Sequence, residues 1–188
     1  MRKVLRYFLM SLLALCFALP CLGSAEAATV AVLPLFNNVK GGDDLAGQVY
    51  YKEALAVLNA NPGFVTVDNQ KLTAAIEAAG ITRVDKNLPT EGTLAKICRD
   101  GDVDIVIAIQ VDHLKEDYQS SSEEDKIILD IQGYAVAYNR LTGVMYRHRI
   151  YDDRALPAVF GSRWDLLHEE WGTNVRLEVD RIMNAKAK

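Results

Sequence analysis

What this sequence has little of narrows it quickly. It holds 3 cysteines in 188 residues, and beyond residue 21 the only one is Cys98. No internal disulfide can form in that part of the chain, so the fold must stand on an apolar core. Proline (5) and glycine (12) are too sparse for a collagen-like or low-complexity chain. Charged residues make up 24% and apolar residues 50%, which excludes a disordered chain. The formal net charge is −4, without the concentrated Lys and Arg that nucleic acid or anionic lipid surfaces require.

Chemistry-bearing patterns are equally scarce. There is no G-x-S-x-G elbow, and the serines at 120–122 have no base beside them. His168-Glu169-Glu170-Trp171-Gly172 begins like a zinc helix, but Gly172 stands where the second histidine belongs. Lys40 precedes Gly41-Gly42 and Asp43-Asp44 follow, so this loop would repel phosphate where a phosphate-binding loop attracts it. Glu116, Asp117, Glu123, Glu124 and Asp125 lack the spacing and turn glycine of a calcium loop. Cys98 sits on an apolar helical stripe and reads as a small buried hydrophobe. The expectation is a protein that is not an enzyme, with no catalytic residue, no metal site and no cofactor.

What is present begins with an address. Arg2, Lys3 and Arg6 precede an apolar run from Phe8 to Leu19, and Ala25-Glu26-Ala27 forms an A-x-A site. These are the three parts of a secretory signal. The run is well short of the ~20 residues that span a bilayer as a helix. The prediction is a signal peptide over 1–27, cleaved after Ala27, and an extracytoplasmic body over 28–188, periplasmic or secreted. Cys21 offers a second route, a lipid anchor. Pro20 before it fits a protease subsite poorly, and cleavage after Ala27 is preferred.

The body reads as alternating strand and helix. Thr29–Leu35 is apolar on both faces, and a helix from Asp43 or Asp44 to about Asn59 carries Tyr51, Leu55 and Leu58 on one stripe. Phe64–Asp68 is a second strand, followed by a helix capped at Asp68 or Asn69, burying Leu72, Ile76 and Ala79, and ended by Gly80. A third helix starts near Thr90 and ends at Gly101, and Asp104–Val111 is a third strand. Glu116–Asp125 reads as an exposed acidic loop. Ile127–Asn139 and Val144–Tyr151 are two long strands joined at Arg140–Gly143, with Asp152, Asp153 and Arg154 ending the second. A last helix begins at Ser162 and carries Trp164, Leu167, Trp171, Val175, Val179 and Ile182, with Gly172 kinking or splitting it. The predicted fold class is α/β, a single domain. Its mixed sheet has about five strands, three parallel with crossover helices and then an antiparallel hairpin. Helices cover it, a long one at the C-terminus.

Val30-Ala-Val-Leu-Pro-Leu-Phe-Asn37, Phe64-Val-Thr-Val-Asp68, Asp104-Ile-Val-Ile107 and Leu141-Thr-Gly143 occur in an order that resembles a known group. The chain is similar to envelope domains of the family that includes the TolB N-terminal domain, the curli-secretion lipoprotein and the lipoprotein activator of penicillin-binding proteins. The resemblance implies a mixed sheet packed with helices and a role in binding other envelope proteins without catalysis. The amphipathic hairpins of the pore-forming members are missing, so a channel function does not carry over.

Two functions follow as expectations. The first is an exported scaffold or accessory factor in envelope assembly or secretion. It would dock an envelope or secretion protein on the hairpin face with Tyr134, Tyr138, Arg147, Arg149 and Tyr151, since Tyr and Arg are favoured interface anchors. The competing reading of that face is a surface covered by the last helix. The second function is a small-ligand-binding or enzymatic domain whose cleft gathers Asn37, Asn38, Lys40, Asp112 and His113 after the first and third strands. A homo-oligomeric surface component is a third reading. Nucleic acid is not an expected partner, and membrane attachment would come only through Cys21.

Overall fold

The computed structural model describes residues 27–39, 44–82, 87–120, 125–158 and 166–185. The leader with Cys16 and Cys21, the loop residues Lys40 to Asp43, the acids Glu123 and Glu124, and the Ser162 helix start with Trp164 lie outside them. Strand β1 is Ala28–Val32 and β2 is Phe36–Asn37; helix α1 is Asp44–Asn59. Strand β3 is Phe64–Thr66, α2 is Gln70–Ala78 and α3 is Glu91–Gly101. Three long strands follow, β4 Ile105–Gln119, β5 Lys126–Asn139 and β6 Val144–Pro157, and then α4, Leu166–Asn184.

All six strands form one mixed sheet in the order β3-β1-β4-β5-β6, with β2 also paired to β4. β1 runs parallel to β3 and β4, and β2 parallel to β4; β4–β5 and β5–β6 are antiparallel. The α/β architecture and the long C-terminal helix are therefore as the alternation implies. The first strand is divided between β1 and β2 around Pro34, which has no N–H to donate. Among the described residues no helix is long and apolar enough to cross a membrane.

Two cores flank the sheet. On one face Ile105, Ile107, Ile109 and Ala135 pack against α1 and α4, with Trp171, Val175, Val179 and Ile182 buried from α4. The Trp171 indole N–H donates to the Ala46 carbonyl at 3.0 Å, which ties α4 to α1. On the other face Val106, Ala108 and Val136 pack against Leu72 of α2 and Leu94, Ile97 and Cys98 of α3. Asn69 caps α2 through its Oδ1, which accepts from the Leu72 N–H at 2.9 Å, and Thr90 caps α3 through the Thr93 N–H. Gly80 ends the α2 turn at φ 76°, as a left-handed terminator should.

Several local expectations are corrected. The buried stripe of α1 is Ala46, Tyr50, Ala54 and Leu58, whereas Tyr51 is exposed and Leu55 half-buried. Tyr50 takes the inner place because its hydroxyl donates to the Leu33 carbonyl at 3.0 Å. Helix α3 does end at Gly101 as expected, and the left-handed residue that follows it is Asp102, at φ 57°. A Cβ on Gly101 would lie 3.1 Å from the Leu72 side chain, so this glycine serves the close approach of α2 and α3. Helix α4 passes unbroken through Gly172, which sits against Val49 and Glu53 of α1. Residues 116–119, expected in a loop, continue β4, and Asp152 to Arg154 lie inside β6. Ladder pairing out to Gln119↔Lys126 and Lys126↔Pro157 outweighs the polar composition of these segments.

Candidate functional site

The candidate site is made by a bulge. The β4–β5 register runs regularly to Val111↔Gly133, skips Asp112, and resumes at His113↔Gln132. One extra residue there keeps Leu114 turned into the α4-side core, while Gln110, Asp112 and His113 share the opposite face. Gly133 is required: a Cβ on it would come within 2.1 Å of the Gln110 carbonyl oxygen.

On that opposite face the helix cover runs out. Val136 and Tyr138 of β5 still belong to the core under α3. Along the same strands follow the cross-strand rows Gln110–Tyr134–Arg149, His113–Gln132–Tyr151 and Lys115–Asp130–Asp153. Arg147, Arg149 and Tyr151 are exposed, the tyrosine by 55%. The arginines lean on aromatic rings, Arg147 5.2 Å from the Tyr134 centroid and Arg149 5.1 Å from that of Tyr151. Arg149 also reaches Gln132 Oε1 at 3.4 Å, and the Tyr151 hydroxyl donates to Asp153 at 3.1 Å. That carboxylate raises the pKa of the Tyr151 phenol above its ordinary value. Beside these rings a cleft of about 490 Å³ opens between the sheet and the start of α3, lined by Leu88, Thr90, Gln110, Tyr134, Met145 and Arg147.

Of the five residues expected on the hairpin face, four therefore share one open surface, and Tyr138 is drawn into the core beside them. The last helix covers the other side of the sheet. Gln110, Gln132 and Asp130, which carry much of the hydrogen bonding, went unnoticed in the sequence. Their signal was period-two spacing with Tyr134 for Asp130 and Gln132 along β5, and for Gln110 the cross-strand row to Tyr134.

The second predicted set converges in part. The Asn38 amide donates to Asp112 Oδ1 at 2.7 Å, and the Gln110 amide donates to the same oxygen. Asn37 Oδ1 accepts from the Val39 N–H at 3.0 Å in a local turn. His113 looks elsewhere, with Nε2 3.2 Å from Asp130 Oδ2. Lys40 lies outside the described residues. The polar atoms of this set brace β2 and the bulge, and they present no nucleophile paired with a base.

Two other groups look reactive in isolation. Glu178 is 3% exposed, yet it accepts from Tyr146 Oη at 3.2 Å and contacts His148 Nδ1 at 3.0 Å and Arg181. Burial and the neighbouring Glu178 charge push the Tyr146 phenol up to about 12. This fully partnered group joins α4 to β6. Cys98 is buried, and desolvation raises its thiol to about 11, which keeps it protonated and inert. Among the described residues no three of His, Cys, Asp and Glu converge as metal ligands.

No protein-family model matches the chain, and no curated protein matches it in sequence. Solved structures do. The hypothetical protein CT253 from Chlamydia trachomatis is similar over 86% of this chain and 100% of its own, with TM-score 0.55 and 11% identity. Lipoprotein GNA1162 from Neisseria meningitidis is similar over 84% of this chain and 99% of its own, with TM-score 0.50 and 17% identity. The fold is shared. The LpoB C-terminal domain from Salmonella enterica gives a lower TM-score of 0.43 at 15% identity, over 69% of this chain and 84% of that one. At such identities the likenesses speak for architecture, and function has to be argued from the site.

Proposed function

We propose that this protein is an exported, non-enzymatic envelope domain that docks a protein partner on the open face of its sheet. The observation that carries the reading is the open half of one sheet face, where Arg149 and Tyr151 stand clear of α2 and α3 and Tyr134 and Arg147 border the cleft at the start of α3. Tyrosine and arginine anchor interfaces well, because each combines a large contact area with a directed polar group. The arginines favour a partner presenting carboxylates, and the adjoining cleft suits one apolar side chain from it. Address comes from the leader pattern of residues 1–27, with Cys21 as the alternative anchor. The resemblance of the sequence to envelope domains and the fold shared with a neisserial lipoprotein support the same setting.

The test is a photo-crosslinking side chain introduced at Tyr151 in the native envelope, compared with one at Gln70 on the outer side of α2. A defined adduct to a protein other than this chain at Tyr151, and none at Gln70, is the expected result. Equal labelling at both positions, or none at Tyr151, overturns the reading.

A further inference from the structure

Strand β6 lies at the margin of the sheet, and among the described residues it has a strand neighbour on one side only. It is 14 residues long. Natural proteins rarely leave so long an edge undefended, because its outward N–H and C=O groups accept another strand. The usual defences are scattered charges, proline, bulges or a covering element. Here Arg147, His148 and Arg149 precede Ile150, and Asp152 and Asp153, then Arg154, follow it.

We infer that β6 pairs antiparallel with β6 of a second copy of this chain, about a two-fold axis through Ile150. A continuous sheet across such an axis must match even positions with even and odd with odd, since successive side chains alternate between faces. Centring on Ile150 satisfies this and sets Arg147 opposite the other copy's Asp153, and His148 opposite its Asp152. Arg149 then meets Tyr151, Tyr146 meets Arg154, and Val144 meets Leu156. The Arg147–Asp153 row is complementary in charge and the symmetry makes it occur twice, while on the other row His148 and Asp152 already hold Glu178 and Arg154 of their own chain. Centring one step later, on Tyr151, would also oppose Arg149 and Asp153, but it would set His148 against Arg154 and leave Arg147 facing Ala155. The side chains involved are accessible, since Arg147, His148, Arg149, Tyr151, Asp153 and Arg154 are all exposed in the single chain.

The occupant is a second copy because this strand is its own charge complement. An unrelated strand would have no reason to match the block order. The pairing shares Arg147, Arg149 and Tyr151 with the docking face but rests on the free backbone edge of β6 and on Asp153, and the open face becomes continuous across the two copies.

The experiment uses sedimentation equilibrium of the full chain, expressed with its own leader and purified. Between about 10 and 500 µM the mass is expected to rise from that of one chain to that of two. Arg147→Asp and Asp153→Arg each place two like-charge pairs across the axis and should weaken self-association by about tenfold or more. Mixing these two variants makes both pairs opposite in sign, so the mixture should associate as the unaltered protein does. The double variant, which leaves net charge unchanged, should also regain the dimer. Circular dichroism melting of each variant confirms folding. A single-chain mass throughout the range overturns the inference. So does a dimer that both single variants leave intact, or one that neither mixing nor the double variant restores.

Discussion

The two halves of β4 make the central comparison. From Ile105 to Ile109 every residue is buried, because α1 and α4 cover one face and α2 and α3 the other. From His113 to Gln119 only Leu114 is buried, and the remaining residues are exposed. The backbone is the same extended ladder throughout, and only the cover differs. A strand buried on both faces reads as a continuous apolar run, whereas one buried on a single face alternates. The first half supplies stability, and the second holds a surface in place on that foundation.

This contrast can be broken at its strongest point first. Trp171→Ala should cost ~3–5 kcal/mol, since it empties a fully buried site and removes the indole N–H bond that ties α4 to the Ala46 carbonyl. A denaturant midpoint measurement checks it, and loss under about 1 kcal/mol would move the keystone elsewhere. Gly133→Ala comes next, at ~1–3 kcal/mol, because its methyl collides with the Gln110 carbonyl and forces the bulge to shift. Hydrogen exchange should speed up at residues 126–133 more than at 134–139.

A smaller effect tests the seam between α3 and β4. Partial burial pushes the Asp104 carboxyl up, but the Arg140 guanidinium and the Thr29 N–H and hydroxyl overcome this and hold it below its ordinary value. The folded form therefore binds fewer protons than the unfolded form, so stability falls as pH drops from the ordinary carboxylate range through the lowered folded value. Asp104→Asn should cost ~1 kcal/mol at neutral pH and flatten that acid limb. An acid titration as steep as before would assign the limb to other carboxylates. At the small end, Arg149→Ala and Tyr151→Ala should each change stability by less than ~0.5 kcal/mol, as surface substitutions do. Losses comparable to Gly133→Ala would make the open face structural.

Much of the covered half was legible because its signals are redundant. Asn69 is one of the two expected α2 caps, Thr90 marks the expected start of α3 and Gly80 the expected terminator, and the α4 stripe of Trp171, Val175, Val179 and Ile182 needs no tertiary information to read. Tyr51 misled because Tyr50 is its neighbour and equally apolar; the choice rests on a hydrogen bond to Leu33, remote in sequence. The β4 extension was hidden by Asp112. Counting through this bulged residue breaks the alternation, so Leu114 loses its link to Val111 and the acidic tail looks like a loop. Four of the five hairpin-face residues could be grouped from β5 and β6 alone, because those two strands pair without interruption. The ligand set closes only in part: Asn38 reaches Asp112, whereas His113, beyond the bulge, pairs with Asp130 on the far row.

The most direct measurement is quantitative recovery of bound proteins from envelope extracts by the unaltered chain and by its Arg147→Ala/Tyr151→Ala form, at equal loading and matched thermal midpoints. A specific protein depleted severalfold or more from the substituted sample is what the docking account requires. An identical set of recovered proteins would contradict it and return the uncovered strands to a purely architectural role.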